Sequence, residues 1–136
     1  MKAIGDKMFD WQKFLVLAGS LLIYDDEEYI RTAISRYYYG LFGVLRRYLI
    51  NVKHKYYLKN STTAVHRKVY DELRFSNDSS EKQISNVLNK LRVIRNSADY
   101  DDQVDVVEFN RFLAENKKDL EIANDTIGYF RNHPNY

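Results

Sequence analysis

The sequence predicts an all-α protein, an up-and-down bundle of four to five helices. Three observations predict it. Five glycines and one proline in 136 residues leave little material for the tight turns of β-hairpins. Apolar residues recur at i, i+3, i+4 and i+7 over long stretches, the period of a helix with one buried face. The links between these stretches are mostly short, which makes consecutive helices antiparallel neighbours.

The first helix is expected from about Asp6 to Ile23, with Trp11, Phe14, Leu15, Ala18, Leu21 and Leu22 on one face. The acids DDEE at 25–28 open the second, because negative charge suits the positive end of a helix dipole. That helix carries Ile30, Ala33, Ile34, Tyr37, Tyr38, Leu41, Phe42, Leu45 and Leu49 at helical spacing, over about five turns. It is expected to be central. Residues 51–63, NVKHKYYLKNSTT, are polar and basic and read as the longest loop. A shorter helix, about Thr63 to Phe75, points Val65, Val69 and Leu73 inward. Asp78 and Glu81 stand at capping-box spacing and start the fourth helix, whose inner stripe is Ile84, Val87, Leu88, Leu91, Ile94 and Ala98. Asp105 and Glu108 repeat that spacing and start the fifth. There Phe109, Phe112, Leu113, Leu120, Ala123, Ile127 and Phe130 recur over about six turns. One domain is expected, residues 1–131, followed by a short polar tail, 132–136, that contains Pro134.

Composition narrows the classes. Apolar residues are 45% and charged residues 29%, an ordinary globular balance that argues against disorder. The absence of cysteine removes disulfides, thiolate metal sites and cysteine nucleophiles, and a cytoplasmic chain is expected. No apolar run approaches the ~20 residues of a membrane span. The first residues, MKAIGDKMFDWQK, are broken by acids and do not read as a secretory signal. The 12 tyrosines suit wet interfaces, since a tyrosine packs its ring and still presents a hydroxyl.

A net charge of +2 hides a segregation. From Tyr29 to Tyr70 there is no acid, while Arg31, Arg36, Arg46, Arg47, Lys53, Lys55, Lys59, Arg67 and Lys68 accumulate. From Asp99 to Asp125 acids dominate. Either the two stretches pair with each other, or the first is a surface for a polyanion such as RNA.

No Gly-rich phosphate loop, HExxH, Cys/His spacing or GxSxG is present, and the three histidines are scattered. Neither a cofactor nor a metal site is expected. The segment RVIRNSADYDD, 92–102, places Arg92, Arg95, Asn96 and Asp99 along one side of a helix end, with Leu91, Ile94 and Ala98 turned to the core. Two readings fit. The stripe is a set of local pairs, Arg95 with Asp99 and Arg92 with Asn96, worth about 0.2–0.5 kcal/mol each when exposed. Or it holds an arginine placed to stabilise charge on a phosphorane. In the second helix Gly40 and Gly43 lie between Arg36 and Arg47. Interior glycines cost about 1 kcal/mol each, so a close helix, from this chain or a second copy, is expected there.

Two motifs carry a resemblance. AISRYYYGLF, with Ser35, Arg36, Tyr38, Tyr39 and Phe42, resembles the "sRaYYamF" helix of HEPN-domain proteins, especially small stand-alone members. RVIRNSADYDD resembles their "lRxxADYdd" helix end through Arg95, Ala98, Asp99, Tyr100 and Asp101. His66 in TTAVHRKVY stands where that group carries a histidine after its variable loop, and the likeness spans about residues 10–130.

The resemblance implies a helical bundle that forms a homodimer, with polar helix ends from both copies meeting in a cleft. It implies a metal-independent endoribonuclease of toxin–antitoxin or defence systems, and a minimal nucleotidyltransferase as a partner protein. Arg95 and Asn96 match the start of the family's active motif, but Tyr100 stands where its histidine belongs. Imidazole suits proton transfer because its pKa lies near 7, whereas phenol lies near 10. His66 is the expected substitute, with Tyr100 as a proton donor or phosphate ligand. The alternative is a non-catalytic domain that binds RNA, a nucleotide or the partner protein. Its binding residues would be Arg36, Arg46, Arg47, Tyr38, Tyr39, Lys53, Lys55 and Arg92. Asp99 and Asp101 would be structural, fixing Arg36 or Arg95.

Overall fold

The computed structural model describes residues 8–116, 118, 121, 125 and 128–136. Every regular element among them is helical: α1, Gln12–Leu21; α2, Glu27–Asn51; α3, Val65–Arg74; α4, Ser79–Tyr100; and α5, Val106–Glu115. A single 3-10 turn, Tyr56–Leu58, lies in the link from α2 to α3. Residues 128–131 are helical as well. The all-α bundle predicted from the sequence is therefore observed. Helix α2 is its axis, and α1, α3, α4 and α5 all pack against it. Among the described residues no helix is long and apolar enough to cross a membrane.

The breadth of the α2 stripe makes it central. Ile30, Ile34, Leu41, Val44, Leu45 and Leu49 are all buried, each worth about 1.5–3 kcal/mol in transfer from water. The two glycines explain the fit of α1. A Cβ on Gly40 would stand 2.9 Å from Leu15 Cδ2, and one on Gly43 would enter the Trp11 ring. The close neighbour is thus α1 of the same chain. The predicted start of α1 at Asp6 lies outside the described residues. Met8–Asp10 are not helical, and the helix begins at Gln12 because Asp10 Oδ1 accepts its N–H at 3.1 Å.

Helix α4 begins as predicted, with Asp78 Oδ1 accepting from the N–H groups of Ser80 and Glu81 at 2.8 and 3.1 Å. Only half of the capping box forms. Glu81 turns inward to pair with Lys53 at 3.4 Å, and Ser76 Oγ takes the Asp78 N–H at 3.0 Å. Asp105 caps α5 in the same manner. That helix stops at Glu115, where Asn116 donates its side-chain amide to the Phe112 carbonyl at 2.9 Å. The expected six-turn run is therefore broken. Leu120, Ala123 and Ile127 lie outside the described residues, while Phe130 is buried and stacks on Tyr48 with 3.9 Å between centroids.

Two polar segments are more ordered than their composition suggested. In the α2–α3 link, Leu58 is fully buried, and Arg46 Nη2 donates to the carbonyls of Leu58 and Lys59 at 2.9 and 3.0 Å. The tail docks on α2. Arg47 Nε and Asn51 Nδ2 donate to the backbone oxygen of Tyr136, and the Arg47 guanidinium lies 4.2 Å from the Tyr136 ring centre.

Candidate functional site

The polar end of α4 meets the middle of α2 and the first turn of α3. From α2 come Ser35, Tyr38, Tyr39 and Phe42; from α3, His66; from α4, Arg92, Arg95, Asp99 and Tyr100. Helical spacing puts Tyr38 and Phe42 on one line of α2, and the His66 ring stacks on Phe42 at 4.1 Å. The Tyr38 hydroxyl and His66 Nδ1 are 2.5 Å apart. Which of the two donates depends on the imidazole tautomer.

Arg95 is the unexpected residue. It is only 8% exposed, whereas the sequence placed it on the polar side of the helix. Its guanidinium carbon lies 4.9, 5.4 and 5.9 Å from the ring centres of Tyr38, Tyr39 and Tyr100. Nη1 stands 3.5 Å from Asp99 Oδ2 and 3.5 Å from the Tyr39 hydroxyl, and Nε has no hydrogen-bond partner. Three ring faces and one carboxylate thus replace the water that the cation has lost. The Arg95–Asp99 pair expected from the sequence forms. The Arg92–Asn96 pair does not: Arg92 Nη2 reaches back to Asn89 Oδ1 at 3.4 Å. Asn96 is half-buried, with no hydrogen bond from its side chain to a described residue.

The electrostatics follow from this enclosure. Burial first, then the charges of Arg95 and Arg92, hold the His66 pKa below its ordinary 6.5. The imidazole is therefore neutral at pH 7. Burial pushes the Tyr38 hydroxyl up to about 12, against a smaller pull from Arg95 and Arg92, so it keeps its proton.

Ser35 and Arg31 organise the rim, and the sequence reading assigned neither a contact there. Ser35 Oγ donates to Asp99 Oδ2 at 3.4 Å and accepts from Arg36 Nη2 at 3.3 Å. Arg36 and Asp99 therefore meet through a serine, not by the direct contact expected. Arg36 also lies over Phe14 and Tyr39, at 4.7 and 5.3 Å from their centroids. Arg31 Nη1 donates to the carbonyls of Ala98 and Asp101 at 3.1 and 2.7 Å, closing the C-terminal end of α4. Asp101 serves through that backbone oxygen, and its side chain is exposed. A helix end rich in orphan carbonyls was the available signal for such a donor.

Four of the expected binding residues lie elsewhere. Arg46 holds the link and Arg47 the tail. Lys53 pairs with Glu81 at 3.4 Å and Lys55 with Glu72 at 3.3 Å. The acid-free stretch is thus not one basic face. Among the described residues, none of its cations forms an ion pair with an acid of 99–125 either; Glu27, Asp71, Glu72 and Glu81 neutralise them instead. No group of three or more histidines and acids among the described residues could share a metal ion. No protein-family model matches the chain, and no curated protein or solved structure matches it.

Proposed function

We propose that the chain is a HEPN-type domain of a toxin–antitoxin or defence system, acting as a metal-independent endoribonuclease at this cluster. The observation that carries the reading is His66. It brings an imidazole from α3 to the arginine end of α4, hydrogen-bonded to Tyr38 and held neutral beside Arg92 and Arg95. That supplies the group which Tyr100 lacks at the motif position. With Nδ1–H donating to the Tyr38 oxygen, Nε2 carries the lone pair and takes the proton from a ribose 2′-hydroxyl. The oxygen attacks the adjacent phosphorus, and Arg95, with Arg92 at its side, balances the phosphorane charge. Tyr100, 73% exposed and with its ring centre 5.9 Å from the Arg95 guanidinium, is the donor to the departing 5′-oxygen in this reading. The products are a 2′,3′-cyclic phosphate and a 5′-hydroxyl. Asn96, half-buried one residue beyond Arg95, is assigned to the motif by its place in the sequence alone. A symmetric homodimer in the cytoplasm would bring two such ends into one groove.

The burial of Arg95 favours a second reading. A guanidinium already enclosed by three tyrosines reaches a phosphate poorly, so the domain would bind without cutting. RNA bases would then stack on Tyr39 and Tyr100, with Arg36 and Arg92 on the backbone. A nucleotidyltransferase-type partner is the protein alternative. RNA cleavage in chelator separates the readings, with the native chain beside Arg95→Ala and His66→Ala. Loss of cleavage in both variants supports the enzyme. Absence of cleavage by every folded form rules it out in favour of binding.

A further inference from the structure

Arg36 carries a charge that the cleavage mechanism does not use. Its side chain is half-buried, yet among the described residues it forms no ion pair. It donates instead to a neutral acceptor, Ser35 Oγ, at 3.3 Å. Two rings hold it in place, with the guanidinium carbon 4.7 Å from the centre of Phe14 and 5.3 Å from that of Tyr39. Stacking of this kind fixes a guanidinium and leaves its N–H edge for an anion. A pocket of about 300 Å³ opens beside it, walled also by Arg31, Thr32, Ser35 and Asp99. Asp99 is the single acid on that wall among the described residues, and Ser35 and Arg95 already hold it.

The level of Arg36 along α2 gives that charge a role. His66 lies against Phe42 and Tyr38, and Arg95 against Tyr38 and Tyr39. Arg36 lies against Tyr39 and Ser35, about a turn nearer the start of the helix. One ring, Tyr39, is within reach of both guanidiniums, so they stand no further apart than their two distances to it together. Tyr100 belongs to the Arg36 end. It lies beside Arg31, and Asp99 before it meets Ser35. With the attacking 2′-hydroxyl at His66 and the departing 5′-oxygen at Tyr100, the strand runs 5′ to 3′ from Phe42 towards Ser35. We propose that Arg36 binds the RNA phosphate immediately 3′ of the one that is cleaved. The proposal rests on the ribonuclease reading of the Arg95 cluster. The contact ends after that one phosphate, because beyond Arg36 the wall carries Glu27, Glu28, Asp101 and Asp102. The minimal substrate is therefore a strand with two consecutive phosphates, and a dinucleoside monophosphate is a poor one.

The test uses a short RNA of mixed base sequence with one unmodified ribose and all others 2′-O-methylated, so that a single phosphate can be cleaved. A methylphosphonate then replaces one neighbouring phosphate at a time and removes its charge. In the native chain, neutralising the 3′-adjacent phosphate should slow cleavage about tenfold or more, the scale of a lost hydrogen bond to a charged group. Arg36→Ala should cleave the unmodified RNA more slowly by a similar factor, and the methylphosphonate should slow it no further. Arg36→Lys keeps the charge but not the fork or the stacking, and should fall between the two. It makes the comparison if circular dichroism shows the alanine variant unfolded. Neutralising the 5′-adjacent phosphate should slow the native chain and Arg36→Ala by the same factor. Equal sensitivity of these two proteins to the 3′-adjacent methylphosphonate overturns the proposal, as does a coupling of Arg36 to any other phosphate. Failure of the native chain to cleave the unmodified RNA overturns the ribonuclease reading and this proposal with it.

Discussion

At the scale of single residues, His66 and Arg95 make opposite demands on their surroundings. His66 is stable there because it is neutral. Its folded pKa lies below the unfolded 6.5, so at acid pH the unfolded chain takes up a proton that the folded chain resists. The stability it allows is full above pH 6.5 and falls as pH drops below that value. Thermal melts from pH 7.5 to 5 should therefore show a smaller acid-side loss for His66→Gln than for the native chain. If His66 is the base, the acid limb of the cleavage rate also lies below 6.5. Arg95 is charged and buried, and Nε is unpartnered. Replacing such a group by an apolar one of similar length is often neutral or stabilising. Arg95→Met is expected to change stability by less than about 1 kcal/mol in urea titration while abolishing RNA cleavage or binding. A large loss of stability would instead make Arg95 a structural residue.

At the scale of the helix, the packing of α1 on α2 is set by two missing side chains. Alanine at position 43 gains about 1 kcal/mol of helix propensity but must displace the Trp11 ring. Overpacking of that kind typically costs about 1–3 kcal/mol, so Gly43→Ala should be net destabilising. Alanine at position 40 meets Leu15 Cδ2 and Cγ at 2.9 and 3.0 Å and Phe14 Cβ at 3.2 Å, milder approaches than the overlap with Trp11 at position 43, so Gly40→Ala should cost less. Urea titration of the two variants ranks them, and the opposite order would mean that Trp11 moves more freely than Leu15. The elements themselves were legible from local chemistry. Asp78 and Asp105 cap the helices that they were expected to start, since a cap bond spans two or three residues. The break in the helix at Asn116 has an equally local cause: Asn116 turns its own side chain onto the last turn of α5, although residues 118, 121, 125 and 128–131 are helical again.

At the scale of the whole molecule, the link between α2 and α3 belongs to the core. Leu58 is fully buried there although its neighbours are polar and exposed. Leu58→Ala should cost about 2–5 kcal/mol, as in a helix interior, and urea titration checks it. A loss below 1 kcal/mol would show that the link lies loosely on the bundle. The composition of the link, NVKHKYYLKN, gave no periodic signal that one leucine would plug the bundle. What the sequence determined by itself was the helical class, the inward stripes of α1 to α4 and the residues that start α4 and α5. Those properties depend on repeats and bonds within a few residues. Only the tertiary structure decided that Arg95 is enclosed, that His66 reaches Tyr38, and that Arg31 closes α4. The contacts of Arg95 with Tyr39, of His66 with Tyr38 and of Arg31 with α4 join residues 28 to 70 positions apart, so they depend on how each helix is rotated and seated against the next. Helical period specifies a face, but a side chain at its margin is buried or exposed according to the neighbour that arrives.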